Sequence, residues 1–138
     1  MNTTIVFLFA ILLVAAALIF IAITVSLGAG RRQLDTEKYR SRWLAIEHQL
    51  RRDDPATYQL CILNADKLLD HALKELGTKG QTMGERMKVT KWSNANAVWS
   101  AHKVRNQIAH EADVTIEYND VRRALAGFKQ GLKDLGAI

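Results

Sequence analysis

The chain has 138 residues, with 19 Lys or Arg against 14 Asp or Glu and a formal net charge of +5. A single cysteine excludes an internal disulfide and with it the stapled secreted mini-proteins. One proline and eight glycines exclude collagen-like and Pro-rich linker chains. No Cys/His spacing matches a zinc finger. The first charged side chain is Arg31, so the near-zero mean hydropathy averages an uncharged segment with a strongly charged one. The chain is therefore neither a plain soluble domain nor a polytopic membrane protein.

Between Ile5 and Leu27 only Thr24 and Ser26 are polar. As a helix this run is about 35 Å long, enough to cross a hydrocarbon core of about 30 Å, and it has no polar stripe. Gly28 and Gly30 end it, and Arg31 and Arg32 follow. A cleaved signal peptide fits less well, because the apolar run is longer than usual and Met1-Asn2-Thr3-Thr4 holds no basic residue. Arg31, Arg32, Lys38, Arg40 and Arg42 crowd the C-terminal flank, and the other flank has none. The positive-inside rule then puts the C-terminal part in the cytoplasm. The expected organisation is a single-pass anchor at the cell membrane, residues 1–30, followed by a cytoplasmic helical domain, residues 31–138. Cys61 suits that reducing side.

The remainder reads as helices. Tyr39, Trp43, Ile46 and Leu50 recur at spacings of four, three and four, predicting a helix over 34–50. Asp54 caps the next, with Pro55 at its first position. This helix buries Tyr58, Cys61, Ile62, Ala65, Leu68, Leu69, Ala72 and Leu76 and stops at Gly77. Cys61, inside that stripe, reads as a small core residue. A short helix is expected over 82–89, and a longer one over 94–110, capped by Ser93, with Val98, Ala101, Val104 and Ile108 inside. Thr115 opens the last helix, which buries Tyr118, Val121, Leu125, Phe128, Leu132 and Leu135 and ends at Gly136. The fold class is all-α: one transmembrane helix, then a bundle of four to five helices.

Charge is unevenly placed. Residues 79–110 carry Lys79, Arg86, Lys88, Lys91, Lys103 and Arg105 against Glu85 alone. A phosphate-bearing partner accounts for this cluster, and so does a solvated basic loop. The cluster surrounds Trp99-Ser-Ala-His-Lys-Val-Arg-Asn-Gln-Ile-Ala-His110. His102, Asn106 and His110 share one helical face, but His102 and His110 are about 12 Å apart along the axis, too far for one zinc ion. The expected site holds no metal and no cofactor. Arg105 lies about 140° round the helix from His110. Imidazole can pass protons near neutral pH, and guanidinium grips phosphate in two places. The two converge on one phosphate only at a helix end, or if a second copy supplies one of them.

Arg105-Asn106-Gln107-Ile108-Ala109-His110 resembles the Arg-polar-x-x-x-His signature of HEPN domains, the higher eukaryote and prokaryote nucleotide-binding family. The likeness extends over roughly residues 34–136: a long helical pair, an irregular connection, the motif late in a helix, then a closing helix. The resemblance implies a bundle that dimerises about the motif helix. It also implies metal-independent endoribonuclease activity of the toxin–antitoxin or defence type, with an antitoxin or regulatory protein as partner. Carried across, His110 is the general acid/base, Arg105 the phosphate contact and Asn106 the orienting residue, with a 2′,3′-cyclic phosphate as product. Lys88, Lys91, Trp92, His102 and Lys103 are the expected RNA contacts, Trp92 by stacking on a base. The membrane anchor departs from the often soluble pattern of that family. The plainer alternative is a noncatalytic membrane-anchored binding or scaffold module. In it His110 meets the helix macrodipole, Arg105 pairs with Glu111 or an acid on a neighbouring helix, and His102 packs between helices.

Overall fold

The computed structural model describes residues 2–28 and 32–138. The expected basic stop at Gly30 and Arg31 lies outside them. The chain divides into two compact units, Met1–Arg31 and Arg32–Ile138.

The first unit is α1 (Thr3–Gly28). Its 26 residues span about 39 Å at helical rise, and Thr3–Thr24 is long and apolar enough to cross a membrane. From Asn2 to Thr24 every side chain is exposed. Thr24 Oγ1 donates back to the carbonyls of Phe20 and Ile21 at 2.9 and 3.0 Å. The hydroxyl is thus satisfied within the helix, as an apolar surrounding demands.

The second unit contains α2 (Thr36–Gln49), α3 (Ala56–Glu75), α4 (Met83–Val89), α5 (Ala95–His110) and α6 (Tyr118–Asp134). No strand occurs among the described residues. The class is all-α, with five helices in the bundle. The central α3 packs against each of the other four. Its stripe from Tyr58 to Leu73 is buried, and so are Tyr39, Trp43 and Ile46 of α2 and Val121, Phe128 and Leu132 of α6. Helix α5 is seated more shallowly. Val98 and Ala101 are buried, whereas Val104 and Ile108 are half-covered. Its second half therefore stays accessible.

Three helix starts differ from expectation. Asp54 does accept a bond from the Ala56 amide at 3.1 Å, but Pro55 is the half-in residue and the helix begins after it. Asn94, not Ser93, caps α5, its Oδ1 accepting from the Ala97 amide at 3.1 Å. Ser93 is used elsewhere: its amide and hydroxyl donate to the two oxygens of Asp134 at 2.9 and 2.8 Å, which ties the start of α5 to the end of α6. Thr115 gives way to Glu117, whose amide meets Asp120 Oδ2 at 3.4 Å in a reciprocal capping arrangement. The stop at Gly77 is as expected. Gly77 adopts φ 72°, and the Thr78 and Gly77 amides close onto the Leu73 and Lys74 carbonyls at 3.0 and 2.9 Å.

The connection after Gly77 is pinned by Arg86. Arg86 is only 6% exposed. Its Nη2 and Nε donate to Asp70 Oδ1 at 2.6 and 3.2 Å, and its Nη1 donates to the Gly80 carbonyl at 2.8 Å. Lys74 Nζ holds the other oxygen of Asp70 at 2.6 Å. Burial pushes the Asp70 carboxyl up, but the bonds from Lys74 and Arg86 outweigh it and hold Asp70 below the usual carboxylate range. Glu75 is held low chiefly by the Tyr39 hydroxyl, which donates to it at 2.8 Å.

Both carboxyls are depressed relative to the unfolded chain. Their contribution to stability is therefore complete above the unfolded carboxylate pKa of about 4 and is lost as pH falls through the lower folded values. The melting temperature is expected to be flat from pH 7 to about 5 and to fall below about 4. In Asp70→Asn the start is lower and the acid fall shallower. Thermal melts followed by circular dichroism across that range check both features.

Candidate functional site

Helix α5 sets one side of the site by spacing alone. His102 and Arg105 stand at i and i+3, so their side chains are neighbours on the helix surface. Both turn toward α3 and meet a single carboxylate, Asp66. His102 Nδ1 lies 2.7 Å from Asp66 Oδ1, and Arg105 Nε lies 3.1 Å from Asp66 Oδ2. Asp66 is 4% exposed. A buried carboxylate is costly unless its oxygens are matched, and here each oxygen has a cationic or donor partner. Arg105 Nη1 also donates to Asn106 Oδ1 at 3.1 Å. The guanidinium is thus fixed in orientation while its side chain keeps 35% exposure.

These groups border a cavity of about 640 Å³ between α3, α4 and α5. Asp66, Lys67 and Asp70 line one wall, Thr82, Met83 and Gly84 the second, and His102, Arg105 and Asn106 the third. A shallower hollow of about 420 Å³ lies over the outer side of α5, between Asn96, Trp99, Ser100, His102, Lys103 and Asn106. His102 and Asn106 border both. The Trp99 ring meets the His102 ring edge-on, with centroids 6.3 Å apart. Another hollow, about 560 Å³ between α5 and α6, is lined mainly by Ala, Val and small polar residues and contains none of the expected site residues.

No family model, curated protein or solved structure matches this chain.

Arg105 and Asn106 stand together at the cavity, joined by a hydrogen bond. His110 does not line it. It is the exposed last residue of α5, followed by extended Glu111. Lys88, Lys91 and Lys103 are exposed. Trp92 is half-buried: its indole N–H donates to the Met87 carbonyl at 2.9 Å, and its ring lies against Gly131. Among the described residues no three His, Cys, Asp or Glu side chains gather into a metal-binding group. The structure also draws down the local positive charge. Two of the six basic residues in 79–110, Arg86 and Arg105, are ion-paired with Asp70 and Asp66.

Asp66 is the residue that sequence reasoning missed. It lies four residues after Ile62 and three before Leu69, squarely in the buried stripe of α3. An acid in that phase requires a partner from another helix, and this signal was present in the sequence. Among the acids weighed for Arg105, it is one on a neighbouring helix and not Glu111 that forms the pair.

Proposed function

We propose that this chain is a membrane-anchored, HEPN-like endoribonuclease of the toxin or defence type, which cuts cytoplasmic RNA as a homodimer without a metal ion. The observation that supports this reading is the placement of Arg105. Its guanidinium is oriented by Asp66 and Asn106 at the edge of a polar cavity, on the helix that ends in an exposed His110. A preset guanidinium stabilises charge building on a phosphodiester, and an imidazole at the helix end supplies acid or base. Within one straight helix Arg105 and His110 diverge by about 140°, and a second copy that supplies one of them brings the two onto one phosphate. Lys88, Lys91 and Lys103 supply exposed positive charge for an RNA backbone.

The full-length protein in detergent is expected to cut single-stranded RNA in the presence of EDTA and to leave 2′,3′-cyclic phosphate ends. Arg105→Ala and His110→Ala are each expected to lower the rate by about 100-fold or more. Gel analysis of end-labelled RNA checks this. Intact RNA across a range of sequences, or unchanged rates in both variants, rejects the reading.

One observation favours a second reading, a noncatalytic anchored module: Arg105 is already paired within the chain, and His110 stands apart from the cavity. That reading expects self-association or partner binding to survive the double substitution Arg105→Ala/His110→Ala.

A further inference from the structure

We infer that His102, held by Asp66, is the general base of this site, distinct from His110; this rests on the ribonuclease reading above. A hydrogen bond joins His102 and Asp66. An ionised carboxylate only accepts, so at 2.7 Å from Asp66 Oδ1 the Nδ1 of His102 carries the proton. In the neutral ring the lone pair then belongs to Nε2. Among the described residues Nε2 makes no hydrogen bond, and the residue borders both the 640 Å³ cavity and the shallower hollow beside Trp99. The ring is thus anchored at one nitrogen by a buried acid, and its other nitrogen has no hydrogen-bond partner among the described residues. A carboxylate on the far nitrogen fixes the tautomer and stabilises the imidazolium that forms when Nε2 takes a proton.

Position supports the same assignment. Arg105 is one turn further along α5 and leans on the same carboxylate. A phosphate held by Arg105 therefore sits within the neighbourhood of His102. His110 is eight residues on, about 12 Å along the axis, and does not line the cavity. Cleavage of a phosphodiester by its own 2′-hydroxyl needs two proton transfers, one at the attacking oxygen and one at the leaving oxygen. Two imidazoles at different places divide that work. The 2′-hydroxyl proton passes to His102 Nε2, and the 2′-oxygen bonds to phosphorus. The P–O5′ bond then breaks, and the 5′-oxygen takes the proton carried by the second copy's His110. A 2′,3′-cyclic phosphate and a free 5′-hydroxyl result. His102 returns its proton to water and His110 regains one, so the balance closes with no redox change. Asp66 touches no reacting atom and is a positioning residue.

The test uses the full-length chain in detergent with end-labelled single-stranded RNA. His102→Asn places an amide N–H where Nδ1–H stood, keeping the bond to Asp66 while removing Nε2. It is expected to melt within a few degrees of wild type and to lose about 100-fold or more in kcat, with KM little changed. Asp66→Asn keeps an acceptor for Nδ1–H but removes the carboxylate that stabilises the proton taken up at Nε2, so it is expected to lower kcat with KM little changed. Wild-type kcat in His102→Asn overturns the inference. If that variant fails to fold, wild-type kcat in Asp66→Asn overturns it instead. The two proposals fail separately: wild-type protein that leaves RNA intact removes the ribonuclease reading and this one with it. RNA cut equally by wild type and His102→Asn removes this one alone.

Discussion

Replacing Arg86 with alanine is expected to cost the bundle about 3 kcal/mol, or roughly 15 °C in melting temperature. Three of its N–H groups are committed, two to Asp70 and one to the Gly80 carbonyl, and the side chain is almost wholly enclosed. Alanine leaves Asp70 with Lys74 as its remaining cationic partner and strips the Gly80 carbonyl of its donor. The cost of such a change lies mainly in the polar groups left behind. Arg86→Lys retains the charge but has no fork with which to reach Asp70 and the Gly80 carbonyl together, so an intermediate loss is expected. Gly80 reinforces the point. It adopts φ 144°, and a Cβ there would stand 2.7 Å from the Arg86 amide nitrogen, so the chain passes close against α4 where the guanidinium holds it. Melts of the full-length protein in detergent measure the effect. A loss below about 1 kcal/mol, the scale of exposed ion pairs, would show that this pair is no stronger than a surface one.

Gly127→Ala is expected to destabilise by about 2–3 kcal/mol, even though alanine favours a helix over glycine by about 1 kcal/mol. A Cβ at Gly127 would collide with the carbonyl oxygen of Ala97 and lie 3.0 Å from its carbonyl carbon and 3.1 Å from Ala101 Cβ. Two of these atoms are backbone and cannot swing away, so α6 must back off α5. The comparison is Gly84→Ala, where the nearest atom is the Thr82 hydroxyl oxygen at 3.9 Å. There the propensity gain is unopposed, and a change between zero and about +1 kcal/mol is expected. Denaturant titration of both variants checks the contrast. Equal effects at the two positions would mean that the α5–α6 contact yields readily. Because α5 carries His102, Arg105 and Asn106, a shift of α6 also disturbs the candidate site from a distance.

The helices were legible because each buries one face against the same core, and that requirement writes its period into the chain. Tyr39, Trp43 and Ile46 in α2, and Val121, Leu125, Phe128 and Leu132 in α6, are buried as their spacing predicts. Helix starts were less legible. Ser93 and Asn94 are both capable caps, and the choice between them is settled by Asp134, 41 residues away. The same limit governs the site. Residue type and spacing single out Arg105, Asn106 and His110 as candidates, since guanidinium, amide and imidazole chemistry are local properties; of the three, His110 does not line the cavity, whereas Arg105 and Asn106 do. Their orientation depends on Asp66, which belongs to another helix and was passed over among the apolar residues around it. Net charge along the chain was least informative where it mattered most. A linear count treats every charge as facing water, yet Arg86 is buried on Asp70 and Arg105 is half-spent on Asp66.

Helix α1 carries a consequence for what unfolding means in this protein. Its side chains from residue 2 to 24 are exposed, and its backbone bonds are closed within the helix itself. Water and heat act on the bundle through the apolar surface it hides, but α1 hides none from residue 2 to 24. In a bilayer it keeps its helix under conditions that melt α2–α6, because leaving the helix would expose peptide groups to hydrocarbon. The denatured state there is not a free coil. With α1 in lipid it would be a coil of about a hundred residues grafted to the bilayer through a persisting rod, its refolding competing with adsorption to the same surface.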